Sequence, residues 1–437
     1  MQTKIRFITF AIAAAALAAI QATAATIEAP LLTAQQREVD RVAVSLRDEP
    51  AVKAARNAML KRWQALKPYT APDGRAQLES AVDEAVFIGL RAAAADPADP
   101  KMIWTEAPGY EIDGLEVPSS RSGDRPDRIY RFAAVDSRYR YVIHGRRSEK
   151  PSLPEFSFEA LQPPAVFGKP VVALSSANID VAADGTFTVT ADATPANGRR
   201  NHLQLPPGTT SLLIRDTLID WSSQLPNELS IERLGGDRVP QRSHEQLVSD
   251  ASKTIGALTE IAVQFFEWPW DRPANQLQPR LRPMEWGLKG SGLALNRFSI
   301  KPDEALVITL DTVGAKYVGF VVGDPWQRSV NYWKRSGSLN SLQAQRNDDG
   351  TITYVLSAQD PGVHNWVDTG GLQEGVVTVR WEGLPADVQI EKGFRGARVV
   401  KRSDVVALLP DAKRVVADQR REWLAARESG YGQRVIQ

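Results

Sequence analysis

The chain has no cysteine and only four histidines among its 437 residues. Without cysteine there is no disulfide, no thiolate zinc site and no thiol nucleophile. His144, His202, His244 and His364 lie far apart, and no His-Glu-x-x-His pair occurs, so no local pattern calls for a metal. The Gly-x-Ser-x-Gly elbow, the P-loop and the Gly-x-Gly-x-x-Gly turn are also missing. A formal net charge of +1 gives no long-range pull on nucleic acid or anionic membrane. The late basic pairs Lys401-Arg402, Lys413-Arg414 and Arg420-Arg421 alternate with Asp404, Asp411 and Asp418, as on a solvated surface. No stretch after the first residues is long and apolar enough to span a bilayer. We therefore expect no cofactor, no metal, no nucleic-acid partner and no stable membrane insertion.

What is present begins with an export signal. Lys4 and Arg6 precede an alanine-rich apolar run, 7–20, and Ala22-Thr-Ala24 supplies a small–x–small cleavage pattern. That order is a secretory signal peptide over residues 1–24, and it predicts a periplasmic or secreted protein. No cysteine follows the run, so a lipid anchor is excluded.

The mature chain starts helically. Thr33-Ala-Gln-Gln36 reads as a capping box, and Val39, Val42 and Leu46 follow at helical spacing. Val52, Ala55, Met59, Trp63 and Leu66 form a second stripe, and Leu78, Val82, Ala85 and Ile88 a third. From about residue 129 the period changes to two, and Asp184-Gly185 sits between alternating runs as a hairpin turn. Ser243-His-Glu-Gln246 is another capping box, followed by Leu247, Ala251, Ile255, Leu258, Ala262 and Phe265 on one face. Strands resume near residue 297, and a helical segment closes the chain.

The two β regions repeat each other. Asp184-Gly-Thr-Phe-Thr188 matches Asp349-Gly-Thr-Ile-Thr353 at an offset of 165, and Leu213-Ile-Arg215 matches Thr378-Val-Arg380 at the same offset. Asn201 corresponds to Asn365. The expected fold is mainly β with α additions, built on two tandem antiparallel β-sandwich units. Its predicted parts are a helical module at 25–98, β-sandwiches at 99–242 and 273–400, a connecting helix at 243–272 and a helical tail at 401–437.

Residues 330–385 carry Asn331-Tyr-Trp333, Ser338-Leu-Asn-Ser-Leu-Gln343 and Asp360-Pro-Gly-Val-His-Asn-Trp366, then Asp368-Thr-Gly370 and Arg380-Trp381. Arg215-Asp216 and Asp220-Trp221 belong to a matching earlier part. Together, over roughly 130–385, the chain resembles exported bacterial proteins with tandem β domains of an uncharacterised domain-of-unknown-function family. The resemblance implies tandem β-sandwiches and no established activity.

Two functional readings follow. The first is a periplasmic protein that binds a small organic or carbohydrate ligand between the β units. Arg215 and Arg380, at equivalent strand ends, would clamp an anion or else pair with Asp216, Asp220 or Asp368. Asn365, Trp366, Tyr332 and Trp326 complete the expected ligand-binding set, and Trp268, Trp270, Trp286 and Trp333 extend the possible aromatic platform. The second reading is a cofactor-free hydrolase or lyase in which His364, with Asp360 or Asp368, performs acid–base work. The bland reading of that loop is turn chemistry around Asp360-Pro361-Gly362, with Asn365 bonding to backbone and Trp366 filling the core.

Overall fold

A computed structural model describes residues 31–435, apart from 122, 149–155, 165–167, 238 and 282–289. The expected signal peptide and Trp286 lie outside the described residues. Helices α1 (Ala34–Ser45), α2 (Pro50–Trp63) and α3 (Pro72–Ala94) open the described chain. Thr33 caps α1 by accepting the Gln36 N–H at 3.1 Å. The reciprocal half of that capping box does not form. The Gln36 amide turns inward instead, donating to Asp40 and accepting the Trp104 N–H.

Strands follow in two series. The first comprises β1 (Ile103–Trp104), β2 (Tyr110–Ile112), β3 (Leu115–Val117), β4 (Arg128–Ala134), β5 (Arg140–Arg146) and β6 (Phe156–Gln162). It continues with β7 (Lys169–Ser175), β8 (Thr186–Asp192), β9 (His202–Gln204), β10 (Ser211–Thr217) and β11 (Glu228–Leu234). Helix α4 (His244–Glu267) intervenes. The second series comprises β12 (Arg280–Leu281), β13 (Ser291–Ser299), β14 (Glu304–Leu310), β15 (Tyr317–Gly323) and β16 (Ser338–Asn340). It ends with β17 (Ile352–Ser357), β18 (Trp366–Asp368), β19 (Glu374–Glu382) and β20 (Phe394–Lys401). The short α5 (Val405–Leu408) and the longer α6 (Ala417–Val435) close the chain.

The protein is mainly β, as the period-two runs predict. Each series gives a five-stranded and a four-stranded sheet, while β2 and β3 form a separate hairpin. The five-stranded orders are β1-β4-β10-β6-β7 and β12-β13-β19-β15-β16. The four-stranded orders are β11-β5-β8-β9 and, read in the same direction, β20-β14-β17-β18. The four-stranded sheets are mixed rather than purely antiparallel, because β8–β9 and β17–β18 run parallel. Both sheets of the first series contribute to one apolar cluster, including Phe158, Leu212, Tyr141 and Val189. Both sheets of the second contribute to another, including Phe320, Val379, Ile308 and Tyr354.

The repeated residues do the same work twice. The Asn201 side chain accepts the Asp180 N–H and donates to the Asp180 and Thr188 carbonyls. Asn365 accepts the Gln345 N–H and donates to the Gln345 and Thr353 carbonyls. Each holds the start of its short parallel strand against two other segments. Asp184 and Asp349 likewise each accept the N–H and hydroxyl of the threonine two residues on.

Helix α4 does more than connect. The Ser243 capping box forms in full, and Ala251, Ile255, Leu258 and Phe266 bury against α2 and α3. Phe266 rather than Phe265 continues the buried stripe, and Phe265 is exposed. Gly89 of α3 permits the close approach, since a Cβ there would meet Ile255 Cγ1 at 2.8 Å. Arg328, after β15 and held by Asp324 of its own loop, ties the second series to α3 through Glu84, Ser80 and Gln77.

Candidate functional site

The two five-stranded sheets and α4 line a cavity of about 590 Å³, a size typical of small-molecule sites. Strand periodicity builds its walls. Leu213 and Arg215 point in from β10, and Val376, Thr378 and Arg380 from β19. Tyr317, Gly319 and Val321 do so from β15, each two residues apart and so on one face. Gly319 is required because the Tyr317 side chain crosses it, and a Cβ there would lie 2.1 Å from the Tyr317 hydroxyl. That hydroxyl donates to buried Asp127 at 2.8 Å. Leu258, Ile261 and Ala262 of α4 supply an aliphatic wall, with Phe265 at its exposed end.

Charge gathers along the segment that enters β4 and at the ends of β10 and β19. Arg215 forms a buried ion pair with Glu159 of β6, while Asp216 takes Arg131 instead. The Arg125 and Arg215 guanidinium carbons lie 5.2 and 5.6 Å from the centre of the Tyr130 ring. The Tyr130 hydroxyl is buried and, among the described residues, has no hydrogen-bond partner. Burial opposes its ionisation, yet Arg125, Arg128, Arg215 and Arg380 outweigh burial and lower its pKa. Asp124 accepts from the Ser329 N–H at 3.0 Å and hydroxyl at 2.5 Å, and burial still pushes its carboxyl up to about 7. Burial, reinforced by Asp124, also raises Glu106 well above the usual carboxylate range. Beside the cavity, Arg128 of β4 pairs with Glu382 of β19, joining the two five-stranded sheets.

Of the residues singled out from sequence, Arg215 and Arg380 meet at this cavity, and Trp268 also lines it, stacked against the Arg272 and Arg280 guanidiniums. The others are elsewhere. Trp326 is buried between the helices and β15, stacked on Trp63 and donating to the Gly74 carbonyl. Tyr332 packs with Trp221, Trp333 and Tyr431. Trp366 is buried and donates to the Ser357 carbonyl, and Asn365 is the backbone clamp described above.

His364, Asp360 and Asp368 do not form an acid–base pair. The His364 ring bonds the Gln343 carbonyl at 3.0 Å, and burial lowers its pKa. Asp360 accepts the Gly362 N–H and pairs with Arg420 at 2.8 Å. Asp368 accepts the Gly370 N–H and pairs with Arg335 at 3.0 Å. Gln343, Arg420 and Arg335 with the local turns have committed all three, and none lines the large cavity.

Sequence reading missed Arg125, Tyr130, Asp124 and Glu106. One signal was available. Arg215 is paired across the sheet with Tyr130, whereas Arg380 is paired with Leu293. A polar ring therefore stands where the repeat has an aliphatic residue. Among the described residues, no group of three or more metal-ligating side chains occurs, and no helix is long and apolar enough to cross a membrane.

No family model matches the chain, and no curated protein matches it. In fold it is similar to the crystal structure of an uncharacterised protein from Burkholderia cenocepacia. That match has a TM-score of 0.69 and 24% identity, over 83% of this chain and 99% of the other. A weaker likeness is to the VPA0106 protein from Vibrio parahaemolyticus, with a TM-score of 0.43 and 10% identity over 82% and 99% of the two chains.

Proposed function

We propose that this is an exported protein that binds a small organic molecule in the cavity between its two five-stranded sheets. The observation that carries the reading is the cavity itself. It is large enough for a ligand, mainly apolar with both aliphatic and aromatic side chains, and furnished with convergent polar groups. The aliphatic α4 wall favours an organic body over a sugar. In the same reading, the sheets belong to two tandem β-sandwich units descended from one repeat, as in the exported domain-of-unknown-function proteins the sequence resembles. Equal strand orders and the twin asparagine clamps support the duplication. Export rests on the N-terminal signal pattern.

The test is a thermal-shift screen of the mature protein against fractions of a bacterial organic extract, run beside Ala262→Trp, which sets an indole in the cavity from the α4 wall. Binding to the folded state must raise apparent stability. A fraction that stabilises the wild type and not the obstructed variant is expected. If no fraction does so at high excess, the reading is wrong. Export is checked by the mass of protein recovered from the periplasm, which should begin at Ala25.

A further inference from the structure

We propose that the ligand is an organic acid, a carboxylate on an apolar body, whose anionic head is held by Arg125 and the Tyr130 hydroxyl. This rests on the cavity-binding reading and specifies the chemistry of its ligand. The Nε and Nη1 atoms of Arg125 and the Tyr130 hydroxyl are buried on the cavity wall, and none has a hydrogen-bond partner among the described residues. Buried donors without acceptors are costly and persist where something else satisfies them. A guanidinium donates charge-assisted hydrogen bonds to a carboxylate, and a phenol adds a further donor.

The surroundings favour the same sign of ligand. Arg380 lines the cavity and acts electrostatically on Tyr130, as Arg215 does from its ion pair with Glu159. The two carboxyls on the wall oppose an anion less than their number suggests, because burial biases Glu106 and Asp124 toward the neutral form. A cationic ligand would be repelled by Arg125 and Arg380, whose charge Glu382 offsets only in part because it is paired with Arg128. A polyol would set hydroxyls against Leu258, Ile261 and Leu295, where nothing can bond them. An apolar body fits that wall, and either an aliphatic chain or an aromatic ring system would serve.

Calorimetric titration of the full mature chain at pH 6 with decanoate, 2-naphthoate, decanol and 2-naphthol separates these cases. Each acid should bind at least tenfold more tightly than the alcohol of the same body, and the better acid identifies the body. Arg125→Gln should weaken acid binding at least tenfold while leaving the alcohols unchanged, which also shows that the variant is folded. Tyr130→Phe, a milder change, should weaken acid binding several-fold. Equal binding of acids and alcohols would overturn the proposal, as would wild-type acid affinity in both variants. If an extract fraction binds and is blocked by Ala262→Trp while the acids do not bind, the ligand class is wrong and the cavity reading stands. If nothing binds, both fail.

Discussion

Replacing Glu382 by glutamine should destabilise the protein more than any exposed charge change, because its partner Arg128 cannot reach water. The Arg128 side chain is 3% exposed and that of Glu382 14%. The pair links β4 to β19, across 254 positions of sequence and the seam between the two five-stranded sheets. Glutamine keeps the shape and one acceptor oxygen but leaves a buried guanidinium without its counter-charge. Breaking a buried pair in this way costs about 3–5 kcal/mol, and the retained acceptor places Glu382→Gln near the lower end. Arg128→Met combined with Glu382→Gln removes both charges and should recover most of the loss, since paired replacement of buried ions is often neutral. Urea denaturation followed by two spectroscopic probes measures this, with coincident curves showing that one transition is observed. Glu382 also predicts an acid limb. Burial raises its pKa, but Arg128, Arg125 and Arg380 outweigh burial and hold the carboxyl below its usual range. Its contribution is therefore complete above the unfolded value of about 4.3 and lost as pH falls through the folded value. The variant should lack that share of acid sensitivity. A cost below about 1 kcal/mol, as for surface pairs, would refute the buried seam.

Asp124 predicts the opposite pH limb. With its folded pKa near 7, the native state keeps a proton that the unfolded chain loses above about 3.9. Its share of stability therefore falls as pH rises from about 4 to 7, by up to about 4 kcal/mol. Asp124→Asn should flatten the melting temperature between pH 5 and 8, and an unchanged slope would count against the assignment. Asn201→Ala and Asn365→Ala should each cost about 2–3 kcal/mol, because each removes three side-chain hydrogen bonds to backbone at about 1 kcal/mol apiece. Denaturation midpoints should show similar losses if the clamps are equivalent. His364→Ala should leave ligand affinity in the calorimeter within twofold of wild type, since the ring bonds a carbonyl away from the cavity. A tenfold loss would return that loop to the site.

Much of the architecture depended on short-range physics and could be read from the chain. Capping at Ser243, the Asp-Gly turns and the change from helical to period-two patterning involve residues within a few positions of each other, so their chemistry is local. The 165-residue echo of Asp-Gly-Thr, and of Arg215 in Arg380, marked equivalent strands because a repeated fold keeps its turn residues. The sandwich reading predicted antiparallel sheets and missed the parallel β8–β9 and β17–β18 pairs. Parallel pairing is decided by where a loop returns, not by strand patterning. The site was legible only at Arg215, Arg380 and Trp268. Whether a polar side chain is spent on its own loop or left facing a cavity depends on partners distant in sequence. Arg420 claims Asp360 across 60 positions, and Ser329 holds Asp124 across 205. Tertiary packing made those choices, burying Trp326 and Tyr332, consuming the His364 loop, and bringing Arg125 and Tyr130 to the cavity between the two five-stranded sheets and α4.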